Sequence, residues 1–285
     1  MEMYRIPVVA LIVAVSGCAA STTIDPAGPL EEPDRAPIGE TVAVSRIFDG
    51  DSLEVRHADG TSAEVRLLGI NAPEGSECHG DPARGALESL LTDGEITLVT
   101  DEEQHDQFGR LLRYVYSDGV NANLEMVANG NAVALQSGHR LEPAFVDAAA
   151  TAAASRRGLW STTACGNAGR APDVRIDRYE YDPAGSDTEN ANDEWVVLAN
   201  RDKDTVMLGG WILRDESTQN RFVLPDGFRL SHGDEVKIHS GCGIATATDL
   251  YWCAADPVWS NGGDTIILQL PDGTIVAWEQ FDGKF

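Results

Sequence analysis

The segment RLLGINAPE, Arg66 to Glu74, sets a guanidinium and a carboxylate at the two ends of one apolar stretch, with Pro73 stiffening the bend between them. Asp49, Asp51, Asn71 and Arg110 also fall at strand ends or turns. A phosphodiester repels an incoming hydroxide, and negative charge builds on its oxygens during attack. A site that cleaves it needs cations aimed at those oxygens, a group that positions or deprotonates water, and often a divalent metal. Arginine suits the first task because its planar fork binds two phosphate oxygens at once. Asp51 and Asn71 offer hard oxygen ligands of the kind calcium takes. Arg66, Glu74 and Arg110 are therefore the candidate catalytic residues, and Glu74 is the one suited to holding water. Taken singly, each piece also reads as an ordinary feature: FDGD as a hairpin turn, Glu74 as a solvated loop acid, DQFGR as a turn with an exposed charge.

The elements that must position these residues are legible in the pattern. From Glu40 to Ile70, three β-branched stretches are separated by the Asp-Gly turns FDGD and HADG, as in consecutive antiparallel strands. In the third stretch Ala63, Val65 and Leu67 alternate with Glu64, Arg66 and Leu68, so Arg66 faces the side opposite Val65 and Leu67. DPARGALESLLTDG has helical spacing, with Asp81 as its cap and Gly94 as its stop. Two more strands follow in EITLVTD and LLRYVYSDG. NANLEMVANGNAVAL (121–135) and EPAFVDAAATAAASRRGLW (142–160) read as two further helices. Five short strands with helices fit a small Greek-key barrel of the OB type.

Composition bounds the class. The 285 residues suffice for two domains, and 42% hydrophobic with 24% charged residues marks a folded, water-facing protein. With 46 acidic against 21 basic residues the formal net charge is −25, which opposes non-specific attraction to nucleic acid or anionic lipid. The first 18 residues read as a signal peptide: Arg5, an apolar stretch from Ile6 to Val15 too short to span a bilayer, then VSGC, which resembles a lipobox with Cys18 as the lipidated residue. Residues 19–40 are Pro-rich, acidic and aperiodic, a flexible tether. This places the protein on the extracellular face of a membrane through a lipid anchor, or in the medium if Cys18 carries no lipid. Export permits disulfides. Cys78, Cys165, Cys242 and Cys253 allow three pairings, with Cys78–Cys165 and Cys242–Cys253 preferred; zinc is the alternative, but no CxxC pair supports it.

FDGDS, VRLLGINAPE, DQFGRLLRYVY and VNANLEMVANGNAVAL, closed by RGLW, resemble the staphylococcal nuclease (thermonuclease) family in order and spacing. The resemblance implies an OB barrel with packed helices over 41–168 and calcium-dependent hydrolysis of DNA or RNA. It makes Arg66 and Arg110 phosphate-binding residues and Glu74 the general base or water-orienting residue. It makes Asp51, Asn71 and the Ala72 carbonyl the calcium ligands. Asn71 stands where the family commonly has Asp, which removes a charge and lowers the expected metal affinity. Phe108 stands where the family often has Tyr.

From about residue 169 the chain becomes a series of short alternating strands without helical segments, the pattern of a β-sandwich over 169–285. NDEWVVLANRDKDTVMLGGWILRD and VWSNGGDTIILQLPDGTIV resemble the lamin-tail domain, which implies an immunoglobulin-like fold and a recognition or attachment role with an unknown partner. Trp195, Trp211 and Trp259 read as core or sheet-packing aromatics. The reading that results is an anchored, monomeric, metal-dependent nuclease. Its rivals are a catalytically inactive binding module for nucleic acid or envelope and a structural envelope module.

Overall fold

The computed structural model describes residues 38–92, 94–166, 171–186, 189–217 and 219–283, all within one compact unit. The signal-peptide reading, Cys18 and all but the last residues of the tether lie outside the described residues. The first domain contains β1 (Glu40–Ile47), β2 (Ser52–Arg56), β3 (Ser62–Leu67), β4 (Ile70–Asn71), α1 (Gly80–Leu90), β5 (Glu95–Val99) and β6 (Leu111–Ser117). It continues with β7 (Val120–Asn121), α2 (Ala122–Ala128), β8 (Val133–Ala134), α3 (Glu142–Ala154) and a 3-10 turn at Gly158–Trp160. Strands run in the order β3-β2-β1-β5-β6, and a parallel pairing of β3 with β6 closes the barrel, with Arg66 opposite Leu112. The alternation anticipated for β3 holds: Val65 and Leu67 are buried in the barrel core while Arg66 faces away from them. β1 begins at Glu40, the last residue read as tether.

The helices depart from their expected bounds, each for a local reason. Asp81 lies inside the first turn of α1, and the cap position is His79 in a left-handed conformation with no side-chain cap. α2 stops at Ala128, because Gly130 takes a positive φ of 71° and the chain turns back. The Val133–Ala134 segment expected as helix instead pairs with Ile70–Asn71 as a two-stranded ribbon. α3 ends at Ala154, and Arg156 at φ 52° breaks the run before Trp160.

The second domain holds β9 (Val174–Glu180), β10 (Trp195–Asn200), β11 (Val206–Met207), β12 (Ile212–Arg214) and β13 (Arg221–Val223). β14 (Arg229–Leu230), β15 (Glu235–His239), β16 (Asp249–Tyr251), β17 (Gly263–Gln269) and β18 (Ile275–Asp282) complete it. Two four-stranded sheets, β16-β15-β10-β9 and β13-β12-β17-β18, pack over a core that includes Trp211 and Trp259. Trp195 is instead half-buried, with the Lys237 ammonium 4.1 Å from its ring centre. The disulfides are Cys78–Cys165 and Cys242–Cys253. Among the described residues no helix is long and apolar enough to cross a membrane.

Barrel and sandwich share a hydrophobic cluster. Val133, Ala152, Ala153, Leu159 and Trp160 pack with Ile267 and Ile275, and the Trp160 and Trp278 rings lie 5.6 Å apart. Gly273 (φ 91°) sits against Cys78, where an added Cβ would come within 2.8 Å of the cysteine Cβ. Because both domains bury apolar surface in one cluster, calorimetry of the oxidised chain should show one transition. Ile275→Ala should cost about 2–5 kcal/mol, lowering the melting temperature by roughly 2–4 °C per kcal/mol. Two resolved transitions in the wild type would show that the shared cluster does not couple the domains.

Candidate active site

The FDGDS turn between β1 and β2 can form only because position 50 lacks a side chain: a Cβ on Gly50 would meet the Cβ atoms of Ala72 and Ala83 at 2.7 and 2.8 Å. Asp49 Oδ1 accepts the Asp51 amide at 2.9 Å and sets the turn. The Asp51 carboxylate, 5% exposed, is thereby pushed under the segment that follows β3. Its Oδ2 accepts the Ala72 amide at 2.6 Å and pairs with Arg66 Nη2 at 3.0 Å, while Oδ1 accepts the Ser52 hydroxyl at 3.0 Å.

Arg66 is fixed by more than this ion pair. Its Nη1 donates to the carbonyls of Leu67 (3.0 Å) and Ile70 (2.8 Å), and Nη2 reaches Asn71 Oδ1 at 3.4 Å. Arg110 arrives from the DQFGR turn, which Asp106 organises by accepting the amides of Phe108 and Arg110, both at 2.9 Å. Asp106 Oδ2 also takes Arg110 Nε at 2.6 Å, and Arg110 Nη1 donates to Ser52 Oγ at 3.4 Å. A continuous chain therefore runs from Arg110 through Ser52 to Asp51 and on to Arg66. Phe108, 75% exposed, lies beside it with its ring centre 5.6 Å from the Arg110 guanidinium carbon.

Glu74 and Arg110 line one open cavity of about 330 Å³ with Phe48, Asp49, Ser52, Glu64 and Val65. Partial burial lifts the Glu74 carboxyl above its ordinary range, Asp49 and Glu77 lift it further, and both Arg66 and Arg110 pull it down. A carboxylate that feels both guanidiniums, with an open cavity in front of it, is placed to accept a proton from water beside an anion.

Two family models match the chain: the staphylococcal nuclease homologue model over residues 64–162 and the lamin tail domain model over 167–282. An uncharacterized endonuclease of Haemophilus influenzae is 34% identical over 42% of this chain and 66% of its own length. A thermonuclease of Staphylococcus intermedius is 30% identical, over 36% and 64% respectively. Protein ParB of Escherichia coli is 33% identical, over 41% and 71%. The chain belongs to the staphylococcal nuclease family. It spans just under two thirds of the first two of these relatives and carries a lamin tail domain behind its nuclease domain.

Within the nuclease domain the sequence-derived residues divide into two groups. Arg66, Arg110 and Asp51 meet through Ser52, and Glu74 shares the cavity with Arg110. Asn71 and Ala72 instead border a second cleft of about 210 Å³, lined from the other side by lamin tail residues that include Arg214 and Arg221. Asn71, 9% exposed, donates its Nδ2 to the Glu216 carbonyl at 2.9 Å. That bond gives a reason for the amide: an Asp at 71 would turn a carboxylate oxygen toward a carbonyl and lose this donor. As to a cation, Asp51 Oδ2 and Asn71 Oδ1 converge on one point, which Arg66 Nη2 occupies. Two hard oxygens with one negative charge between them suit a divalent ion in donor type, but here both are engaged by Arg66, and among the described residues no group of three or more His, Cys, Asp or Glu side chains comes together to hold a metal ion. Sequence reasoning missed Ser52, which joins the two arginines, and Asp106, whose side chain builds the DQFGR turn. An Asp two and four residues before the amides it caps was the available signal.

Burial raises the carboxyls of Glu74, Asp215 and Glu279, and more strongly those of Asp51, to about 6 despite Arg66, Asp264, to about 7 with help from Asp215, and Glu216, well above its ordinary range with help from Asp264. Each holds its proton in the native state at pH values where the unfolded chain, with carboxyls near 4, has lost it. The native state then binds more protons, so stability falls as pH rises from about 4 through 7. Asp101 and Asp106, whose hydrogen bonds hold them low, change stability only below this window. Melting in chelator should therefore occur several degrees lower at pH 8 than at pH 5; a higher melting temperature at pH 8 would contradict the burial argument.

Proposed function

We propose that the protein is a divalent-cation-dependent phosphodiester hydrolase acting on DNA or RNA, working outside the cell on a lipid anchor at Cys18. The observation that carries the catalytic part is the Arg110–Ser52–Asp51–Arg66 chain with Glu74 in the adjoining cavity. The names of the endonuclease and thermonuclease relatives support the same reaction.

In this reading the phosphate enters the cavity beside Arg110, whose exposed face donates to a non-bridging oxygen while Asp106 and Ser52 keep the fork aimed. Arg66 adds positive potential from beneath, held through Nη1 by the Leu67 and Ile70 carbonyls. Glu74 accepts a proton from a water molecule as the new oxygen–phosphorus bond forms and the ester bond to the leaving oxygen breaks. Calcium or a related ion would supply Lewis-acid stabilisation of the phosphoryl oxygens; the family resemblance assigns its ligands to Asp51, Asn71 and the Ala72 carbonyl, and to take the first two it would replace Arg66 Nη2 as their partner. The extracellular placement rests on the VSGC motif and on the two disulfides, which oxidising surroundings favour. Cys18→Ala should release the protein into the medium and abolish fatty-acid labelling.

Glu74→Gln should slow cleavage of a duplex or single-stranded oligonucleotide by about 10²–10⁴, and Arg110→Met by about 10²–10³. Both should keep the wild-type circular dichroism spectrum. Chelator should abolish cleavage and calcium restore it. Wild-type rates in either variant would remove that residue from the reaction. Absence of cleavage with every divalent ion tried would favour the inactive binding module.

A further inference from the structure

One hairpin of the lamin tail domain touches the supports of both proposed catalytic groups. Between β12 and β13, Asp215 braces two of its described neighbours: its Oδ1 accepts the Ser217 amide at 2.9 Å, and Oδ2 accepts Asn220 Nδ2 at 2.7 Å. Glu216, 7% exposed, projects from this loop into the nuclease domain. Its carbonyl takes Asn71 Nδ2, and its carboxylate takes the Gln136 amide, with Gln136 Nε2 at 3.5 Å and Thr265 Oγ1 at 3.4 Å. Asn71 lies in β4 and Gln136 lies just beyond β8, so one residue grips both strands of the ribbon. That ribbon presents the Ile70 carbonyl and Asn71 Oδ1 to Arg66. At the same end of the hairpin, where the loop enters β13, Arg221 Nη1 pairs with Glu77 Oε1 at 2.9 Å, and Glu77 Oε2 accepts the Glu74 amide at 3.2 Å.

We infer that this hairpin is a positioning element of the nuclease site, with Glu216 holding the ribbon that aims Arg66 and Arg221 holding the loop that aims Glu74. The inference rests on the phosphodiesterase reading given above. Two features argue for positioning over simple docking. The apolar cluster around Ile267 and Ile275 already joins the domains, so docking does not require polar contacts at the catalytic segment. The Arg221–Glu77 pair is about one third exposed on each side, a setting in which ion pairs add little stability and orientation is what remains. Displacement of a reacting group by about 1 Å costs on the order of 10² in rate, so modest slack in this loop is kinetically visible.

The test is steady-state cleavage of an oligonucleotide in calcium by the full chain, with melting temperature measured alongside. Glu216→Ala should lower kcat about 10–100-fold with KM within about threefold. Glu216→Gln, which keeps an acceptor for the Gln136 amide, should recover most of it. Arg221→Ala should lower kcat by about threefold to tenfold, and it carries the test by itself if Glu216→Ala does not fold. The exchanged pair, Glu77→Arg with Arg221→Glu, separates the two roles. It rebuilds the ion pair and should keep the melting temperature near that of the wild type. It leaves the Glu74 amide without an acceptor and should keep kcat as low as in Arg221→Ala. Wild-type kcat in the exchanged pair, or in both Arg221→Ala and Glu216→Ala, would overturn this inference while leaving the nuclease reading intact. A wild type that cleaves nothing would overturn both together.

Discussion

A carboxylate buried beside a guanidinium is stable only if its remaining lone pairs are used, and Asp51 uses all that the turn allows it. One oxygen is shared by the Ala72 amide and Arg66, the other by the Ser52 hydroxyl. Burial still lifts its pKa to about 6 against the pull of Arg66, which measures how far the turn has been forced inward. The force is geometric: Gly50 lets the turn lie against Ala72 and α1, and the barrel closure between β3 and β6 brings Arg66 over it. Without that carboxylate, Arg66 would face three oxygens of neutral groups, and Ser52 would lose the acceptor that orients it toward Arg110. The two arginines are held in register because a single acid connects them.

The same economy recurs among the carboxylates of the domain interface, although Trp160 Nε1 in the shared apolar cluster is buried without a hydrogen-bond partner among the described residues. Burial raises the pKa values of Glu216, Asp264 and Asp215, Asp264 and Asp215 raise that of Glu216 further, and Asp215 raises that of Asp264, yet each accepts backbone or side-chain donors. Asp264 alone takes the amides of Thr265 at 2.7 Å and Ser260 at 3.1 Å. Such networks specify one arrangement of two domains more sharply than apolar contact does, because a slipped register leaves a buried acid without donors. The apolar cluster holds the domains together, and the acids fix which residues face which.

Much of this was readable in one dimension, and the boundary has a physical cause. The alternation in β3 placed Arg66 on the face away from the core because side-chain direction in a strand has period two. The two disulfides followed from even cysteine count and domain position. The ends of α2 and α3 did not follow, since the 121–135 segment keeps helical spacing past the point where Gly130 and the pairing of Val133 with Asn71 override it. The role of Asn71 was the least legible. Its partner Glu216 lies 145 residues away in a different domain, and nothing in the local sequence distinguishes a lost metal ligand from an acquired latch.

The charge of −25 sets a constraint that the site answers locally. At low ionic strength the whole surface repels a polyanion, and every phosphate contact must compete with that field. In roughly molar salt the Debye length falls to about 3 Å, shorter than the separation of most surface charges but comparable to the distances within the Arg110–Ser52–Asp51–Arg66 chain. Partly buried groups are screened less than exposed ones, so added salt removes the repulsion faster than it removes the attraction. An acidic shell around a guanidinium pair therefore does not cancel the pair. For the proposed nucleic-acid substrate it would move the conditions of strongest binding toward higher salt, the opposite of the steep decline expected for a basic surface that binds by releasing counterions.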